Sequence, residues 1–398
     1  MKSLFRLPFF LLAIMSFHGN VWGNEARSLT ENYEVPGSAY IRFSEQALLF
    51  EQYLGHANEA KATAVSANTL FYLHSLSKPV LGALTIALIK EGVFGFDTPM
   101  STLLPAMHTF CKKQFGPRCE ITIRQLLLHT SGFDYPALLS GKGGNSERYD
   151  KVFSFSPVVA SGFGPGVNLS ELATQAYLAP LNQPPGEAFT YGIGYDLLGQ
   201  VIENATSQSL ETTLKQRLLG PLGIADLYIL LPEGEKSRAV QLYNRKYATY
   251  PIPGKYRRYQ AYDSDRLLIT RPDYPISGGG GMLGTAHAYV QFLQAVLTGL
   301  NGKLSKEESD WLLCNQLPDS LGDNPLKAAF FDADDWGYSF GFGVRPSKTS
   351  AQCSSALFWS GYSNTQFSFD LRRGEGELFL TNLFPLDHNI RVALDAIR

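Results

Sequence analysis

The sequence predicts an α+β fold: an antiparallel sheet assembled from the two ends of the chain and flanked by helices, with a mainly helical domain inserted between them. Three observations predict it. From Leu76 to Ile89 the chain is apolar or small apart from Lys78, the pattern of a helix buried in a large core. Between about 91 and 279, helical periods alternate with Pro- and Gly-rich turns. In the C-terminal third, segments such as Thr365–Asp370 and Glu377–Thr381 alternate apolar and polar residues, as half-buried strands do. The expected division is a signal peptide over 1–23 and one domain over 24–398. Its α/β part takes 39–90 and 280–398, and the helical insertion takes 91–279.

The elements follow in order. Lys2 and Arg6, the apolar run Leu7–Phe17 and the small residues near Gly23 read as a secretory signal peptide cut after Gly23. The run is too short to span a bilayer, and no later stretch is long enough either. Residues 24–40 look irregular, and strand character is favoured later, around Ala47–Tyr53. In the buried helix, Pro79 suits the first turn, and Gly92 can supply a left-handed stop. Met100–Leu104 is a short helix. Ile121–Gly132 reads as a helix capped by Thr122 and ending at Gly132. Residues 136–168 are a long Gly/Ser-rich surface loop, and a helix capped by Asn168 or Ser170 runs to Tyr177. After the turn at Pro185-Gly186, helices are expected at Tyr195–Ala205 and Leu210–Leu219. Residues 228–275 are loops and short strands. The glycine run 277–281 lacks the Lys-Ser/Thr ending of a phosphate loop. Helices at Ala286–Leu300 and Ile390–Ile397 and strands over Ser339–Val344 complete the reading.

Composition excludes some functions. The chain has 398 residues, 44% hydrophobic and 18% charged, with a net charge of −2, so neither nucleic acid nor an anionic membrane is an indicated partner. The four cysteines lack zinc-site spacing, and an exported chain can form disulfides. Three connectivities are open. Cys111 and Cys119 enclose a basic Gly-Pro loop that a bridge could close, and Cys314 and Cys353 are the pair that remains.

The chemistry centres on Ser75-Leu76-Ser77-Lys78. Three positions apart on the first helical turn, Ser75 and Lys78 share a face. A serine hydroxyl is a poor nucleophile until something takes its proton, and burial can bring a lysine pKa down far enough to do so. Alone, this spacing is more often that of a capping serine and a snorkelling lysine.

Several further segments resemble the serine β-lactamase and penicillin-binding-protein-like family, on the class C branch that includes related esterases and D-aminopeptidases. In order they are Phe71 to Pro79, Leu88 to Gly92 with Asp97, Pro99 and Pro105, Ile121 to Gly132, and Pro185-Gly186 with Phe189, Tyr191, Tyr195, Asp196, Leu198 and Gly199. Pro221-Leu222-Gly223 and the glycine run to Phe292 continue the match, which spans about 43 to 397. The resemblance implies a β-lactamase/transpeptidase-like fold with Ser75 as nucleophile and Lys78 and Tyr191 as its proton partners. It also implies an oxyanion hole from the backbone N–H groups of Ser75 and Tyr362, on a strand end formed by Trp359-Ser360-Gly361, and no metal or organic cofactor.

Two departures from the family pattern bear on substrate. Where its β-lactamases read Tyr-x-Asn, this chain has Tyr191-Gly192-Ile193, and where they read Lys-Thr-Gly it has Trp359-Ser360-Gly361. The amide that holds a substrate's amide side chain and the cation that pairs with a β-lactam carboxylate are both replaced. The expectation is therefore an exported (periplasmic or secreted) serine hydrolase acting through an acyl-enzyme on esters or small amides. A β-lactamase, a D-Ala-D-Ala carboxypeptidase or a D-aminopeptidase is the alternative, and a non-catalytic binding homologue is a further one. The expected partner is a small ester, amide or cell-wall-derived molecule. His129 is expected to be structural rather than a triad base. Asp134, Asp196, Asp226 and Asp370 are expected as caps or turn residues.

Overall fold

The computed structural model describes residues 24, 27–28, 30–32, 34–104, 112–116, 119–133, 181, 183–245, 259–262, 277–321, 336–347 and 353–384. The expected signal peptide, the 136–168 loop, the helix to Tyr177, the C-terminal helix, Asp134 and Cys111 lie outside them.

The strands among these residues are β1 (Gly37–Ser44), β2 (Leu48–Asn58), β3 (Thr63–Ala64), β4 (Phe71–Tyr72), β5 (Leu227–Tyr228), β6 (Tyr243–Arg245), β7 (Tyr259–Ala261), β8 (Leu283–Gly284), β9 (Gly337–Tyr338), β10 (Gly343–Pro346), β11 (Ser354–Gly361), β12 (Thr365–Asp370), β13 (Glu375–Thr381) and β14 (Leu383–Phe384). Eight of them form one antiparallel sheet in the order β3-β2-β1-β13-β12-β11-β10-β9. Both ends of the chain thus meet in one sheet, where β1 pairs with β13 from Ser38↔Thr381 to Ser44↔Glu375.

The first strand begins earlier than the composition of 24–40 suggests. In β1, Ala39, Ile41 and Phe43 belong to the helix-side core, while Tyr40 faces the other way and is equally buried. A strand covered on both faces shows little polar alternation, so its period is hard to read. On the outer face, the Tyr40 hydroxyl donates to Glu377 at 3.0 Å and Arg42 pairs with Glu375 at 3.0 Å.

Helix α1 (Ser77–Lys90) is the apolar segment expected from the sequence, and its residues from Ser77 to Ile86 are all buried. It ends at Gly92, whose φ is +75°. The segment 339–342, expected as strand, is instead a tight connection between β9 and β10, because Gly341 takes φ +104°. That turn presses on α1: a Cβ at Gly82 would run into the Phe340 carbonyl, and one at Gly341 would lie 2.6 Å from the Lys78 carbonyl oxygen. Glycine on both sides is what allows the first turns of the helix to sit against the sheet.

The helical region contributes α2 (Met100–Leu103), α3 (Ile123–Leu127) and α4 (Gly194–Thr206). Thr122 caps α3 through a capping box with Gln125. The helix stops well before Gly132, because the backbone reverses at His129 with φ +55°. Helix α5 (Ala286–Leu297) lies along the sheet, with Gln294 Nε2 donating to the Ser44 carbonyl at 2.9 Å. A smaller sheet, β4-β8-β5, ties the glycine run to the start of α1, where Leu73 N donates to Met282 O at 2.9 Å and Met282 N to Ser77 Oγ at 3.1 Å.

Cys314 and Cys353 form a disulfide across 39 residues. Cys119 is also disulfide-bonded. No helix among the described residues is long and apolar enough to cross a membrane.

Overpacking the contact between α1 and the 339–342 turn should be costly. Gly82→Ala is expected to lower the free energy of unfolding by about 1–3 kcal/mol in urea titrations, whereas alanine at exposed Gly234, with open space around it, should cost little.

Candidate active site

Ser75 lies in a short 3-10 turn (His74–Leu76) that leads directly into α1. Its Oγ accepts hydrogen bonds from the Tyr191 hydroxyl at 2.8 Å and from Lys78 Nζ at 3.3 Å. Lys78 is 1% exposed. An amine so deeply buried needs acceptors, and it finds a second one in the Gly279 carbonyl at 2.7 Å. It also lies 4.7 Å from the centre of the Tyr191 ring and 5.9 Å from that of Tyr195. The structure therefore brings Ser75, Lys78 and Tyr191 together as expected.

Two supporting groups were not expected in these roles. Asp196, read from the sequence as a cap or turn residue, is 1% exposed and accepts from Ser277 Oγ at 2.5 Å and from Gly279 N at 3.1 Å. It fixes the glycine run so that the Gly279 carbonyl points at Lys78. The run itself must be glycine where it passes α4, since a Cβ on Gly278 would lie 2.5 Å from the Tyr195 carbonyl oxygen. No local signal pairs Asp196 with a glycine run that lies more than eighty residues later. Asp370 behaves as expected, in a turn before Arg372 and Arg373, whereas Asp226, expected as a cap or turn residue, instead forms an ion pair with Arg238 at 2.7 Å.

His129 stands behind Tyr191. Its Nδ1 accepts from Gly192 N at 3.2 Å, and its carbonyl accepts from Thr190 N at 2.6 Å, so it grips the backbone on both sides of Tyr191. Accepting at Nδ1 places the ring proton on Nε2. Among the described residues Nε2 has no hydrogen-bond partner. The imidazole is packed among the rings of Tyr191, Tyr195, Tyr338 and Phe189, with centroids 4.5 to 5.7 Å away. Burial, and secondarily Lys78, hold its pKa well below the ordinary histidine value. Burial also raises the Tyr195 phenol far above its usual range, while its hydroxyl donates to Leu127 O at 2.9 Å.

The facing wall is β11. Its ladder to β10 ends at Gly343↔Phe358, whereas its ladder to β12 continues through Trp359↔Phe367 to Gly361↔Thr365. The β10 ladder thus stops short of Trp359, Ser360 and Gly361, although β11 is an interior strand. Trp359 is 3% exposed, with its ring 5.7 Å from Tyr191 and 5.1 Å from Tyr338. Ile193 is 1% exposed. Gly361 closes on the nucleophile turn so tightly that a Cβ would overlap the Leu73 carbonyl. Tyr362, the next residue, stacks its ring on Phe384 with centroids 6.1 Å apart.

A model of the Beta-lactamase family matches residues 24–398. The chain belongs to that family. Esterase EstB from Burkholderia gladioli is 27% identical over 87% of this chain and 86% of its own. Among solved structures, EstCE1, a hydrolase with promiscuous acyltransferase activity, superposes with a TM-score of 0.77 at 20% identity, covering 96% of this chain and 99% of that one. A class C beta-lactamase mutant gives 0.67 at 14% identity, with 95% and 98% covered. This member of the beta-lactamase family is a serine hydrolase, and its α+β architecture is the family's.

The buried imidazole generates a pH test. The unfolded chain takes a proton on His129 below about pH 6.5, which the folded chain refuses, so stability should fall as pH drops through that value, by up to about 1.4 kcal/mol per unit. His129→Gln should flatten this part of the slope relative to the parent when unfolding free energies are measured from pH 7 to 5. An unchanged slope would show that His129 does not carry it.

Proposed function

We propose that this chain is an exported serine hydrolase that forms an acyl-enzyme at Ser75 and acts on esters or small amides. The supporting observation is the convergence on Ser75 Oγ of the Tyr191 hydroxyl at 2.8 Å and the Lys78 amine at 3.3 Å. In the resting arrangement both groups donate toward Oγ, so attack requires one of the two in its deprotonated form. The hydroxyl proton then passes to the Lys78–Tyr191 pair as the Oγ–carbon bond forms. The backbone N–H groups of Ser75 and Tyr362 stabilise the oxyanion. The bond to the leaving group breaks, and that group departs with the proton. Water next gives a proton to the same pair, attacks the acyl carbon and releases the acid, and the proton returns to Ser75 Oγ.

The substrate preference rests on the walls. Trp359 and Ile193 are buried, aromatic or aliphatic, and occupy the positions where a carboxylate-binding cation and an amide would sit. An ionised β-lactam would lose hydration there without a charged partner in return. A neutral ester loses much less. The name of the Burkholderia gladioli relative, an esterase, agrees with this. The competing reading, a β-lactamase or D-Ala-D-Ala peptidase, draws on the class C beta-lactamase neighbour and on penicillin-binding protein 4 of Amycolatopsis lactamdurans, which is 26% identical over 60% of this chain. Export is supported by the basic and apolar N-terminus and by the Cys314–Cys353 disulfide, a bond that persists in oxidising compartments.

On short p-nitrophenyl esters, Ser75→Ala is expected to lower kcat/KM by about 10⁴-fold or more, and Tyr191→Phe by about 10²- to 10⁴-fold. A chromogenic cephalosporin turned over faster than the ester would overturn the substrate assignment. Ester turnover that survives Ser75→Ala would overturn the mechanism.

A further inference from the structure

His74, the residue before Ser75, carries a conformational cost that its surroundings must offset. Its φ is +48°, in the left-handed region that glycine enters freely and a β-substituted residue enters at about 1 kcal/mol or more. A large polar ring at such a position, 1% exposed, needs a partner. The partner is Ser363: its Oγ lies 2.6 Å from His74 Nε2, and the serine is fully buried. Ser363 is the residue after Tyr362, in the turn joining β11 to β12, and its own carbonyl accepts from Thr381 Oγ1 at 2.6 Å on β13. The next residue, Asn364, is held through Nδ2 to Leu383 O at 2.7 Å.

The contact therefore joins two particular stretches of backbone. One carries the Ser75 N–H and the other the Tyr362 N–H. Around it, Thr365 Oγ1 donates to the Leu73 carbonyl at 3.2 Å, a Cβ on Gly361 would fall 3.4 Å from His74 Cβ, and the Tyr362 ring meets the imidazole edge-on at 6.1 Å. We infer that His74 is a positioning residue: its bond to Ser363 sets the separation of the two backbone donors that receive the oxyanion. The inference rests on the acyl-enzyme reading at Ser75.

A donor pair is useful only if it matches the tetrahedral oxygen rather than the ground-state carbonyl. Loosening the pair should therefore reduce turnover without weakening substrate binding. The bond from Thr365 to Leu73 anchors the residue on the far side of His74, so the turn as a whole stays docked when the His74–Ser363 bond is removed. What is lost is the register of the two N–H groups.

The test is a double-mutant cycle on the full chain with p-nitrophenyl butyrate. His74→Ala and Ser363→Ala should each lower kcat by about 10- to 100-fold while leaving KM within about two-fold. The double variant should be no slower than the worse single one, because both remove the same bond. A boronic acid that forms a tetrahedral adduct on Ser75 should lose affinity in proportion to kcat. His74→Asn, which tolerates the left-handed backbone and offers an amide to Ser363, should recover part of the loss. Ser363→Ala leaves the backbone at residue 74 untouched, so it carries the test if His74→Ala fails to fold. Single variants with unchanged kcat, losses that multiply in the double variant, or losses confined to KM would each overturn the inference. If those results appear while Ser75→Ala is inactive, the hydrolase reading stands and only the positioning role falls. If Ser75→Ala retains turnover, both fall together.

Discussion

A lysine amine taken out of water at the start of an apolar helix has to be given acceptors, and much of this site follows from that requirement. Lys78 is 1% exposed, and its oxygen partners include Ser75 Oγ and the Gly279 carbonyl. Leaving a buried donor without them would cost about 1–3 kcal/mol or more. The Gly279 carbonyl is available only because Asp196 holds Ser277 Oγ and Gly279 N. Asp196 sits in the first turn of α4, directly after the segment that carries Tyr191. Satisfying one amine therefore draws 75–78, 191–196 and 277–279 into a single unit. The same contacts place the phenol of Tyr191 on the serine.

The unit is assembled at the seam between sheet and helices, and the sheet supplies the other half. The end of β11 from Trp359 to Gly361 has β12 on one side and no β10 partner on the other. There it closes on the nucleophile turn, where a Cβ on Gly361 would overlap the Leu73 carbonyl oxygen. The side chains beside it are a tryptophan and two tyrosines, with no lysine at the strand end. These rings contribute apolar surface, and the Tyr191 hydroxyl turns toward Ser75 Oγ.

Legibility in the sequence followed the physics of each segment. The helix α1 was plain because burial all round leaves a continuous apolar run, and its stop at Gly92 was plain because only a left-handed residue was needed there. Strands β12 and β13 showed their alternation. Strand β1 did not, since Tyr40 and Ile41 are buried on opposite faces. Helix α3 was read too long because Leu126, Leu127 and Leu128 continue the apolar pattern past the point where His129 reverses the backbone. Ser75, Lys78 and Tyr191, which the structure brings into contact, could be picked out because a motif carries them. Asp196 was not, because an aspartate near a helix start is ordinarily a cap. Only the fold brings a glycine run more than eighty residues later onto its carboxylate.

The two histidines at the site show how proton transfer and placement are divided. A triad reading would look to His129 as the base. Its Nδ1 is already used on Gly192 N, its Nε2–H is enclosed by aromatic rings, and burial keeps it neutral. An imidazole in that condition cannot cycle a proton with Ser75, but it can hold the backbone on either side of Tyr191. His74 meets a side chain instead, the hydroxyl of Ser363, at the other edge of the serine. The groups whose protons would move are the phenol and the amine that touch Ser75 Oγ. His129 contacts the backbone on both sides of Tyr191, and His74 contacts the turn that follows β11. Rate in such a site should respond to the loss of either histidine through geometry, and to the loss of Lys78 or Tyr191 through chemistry.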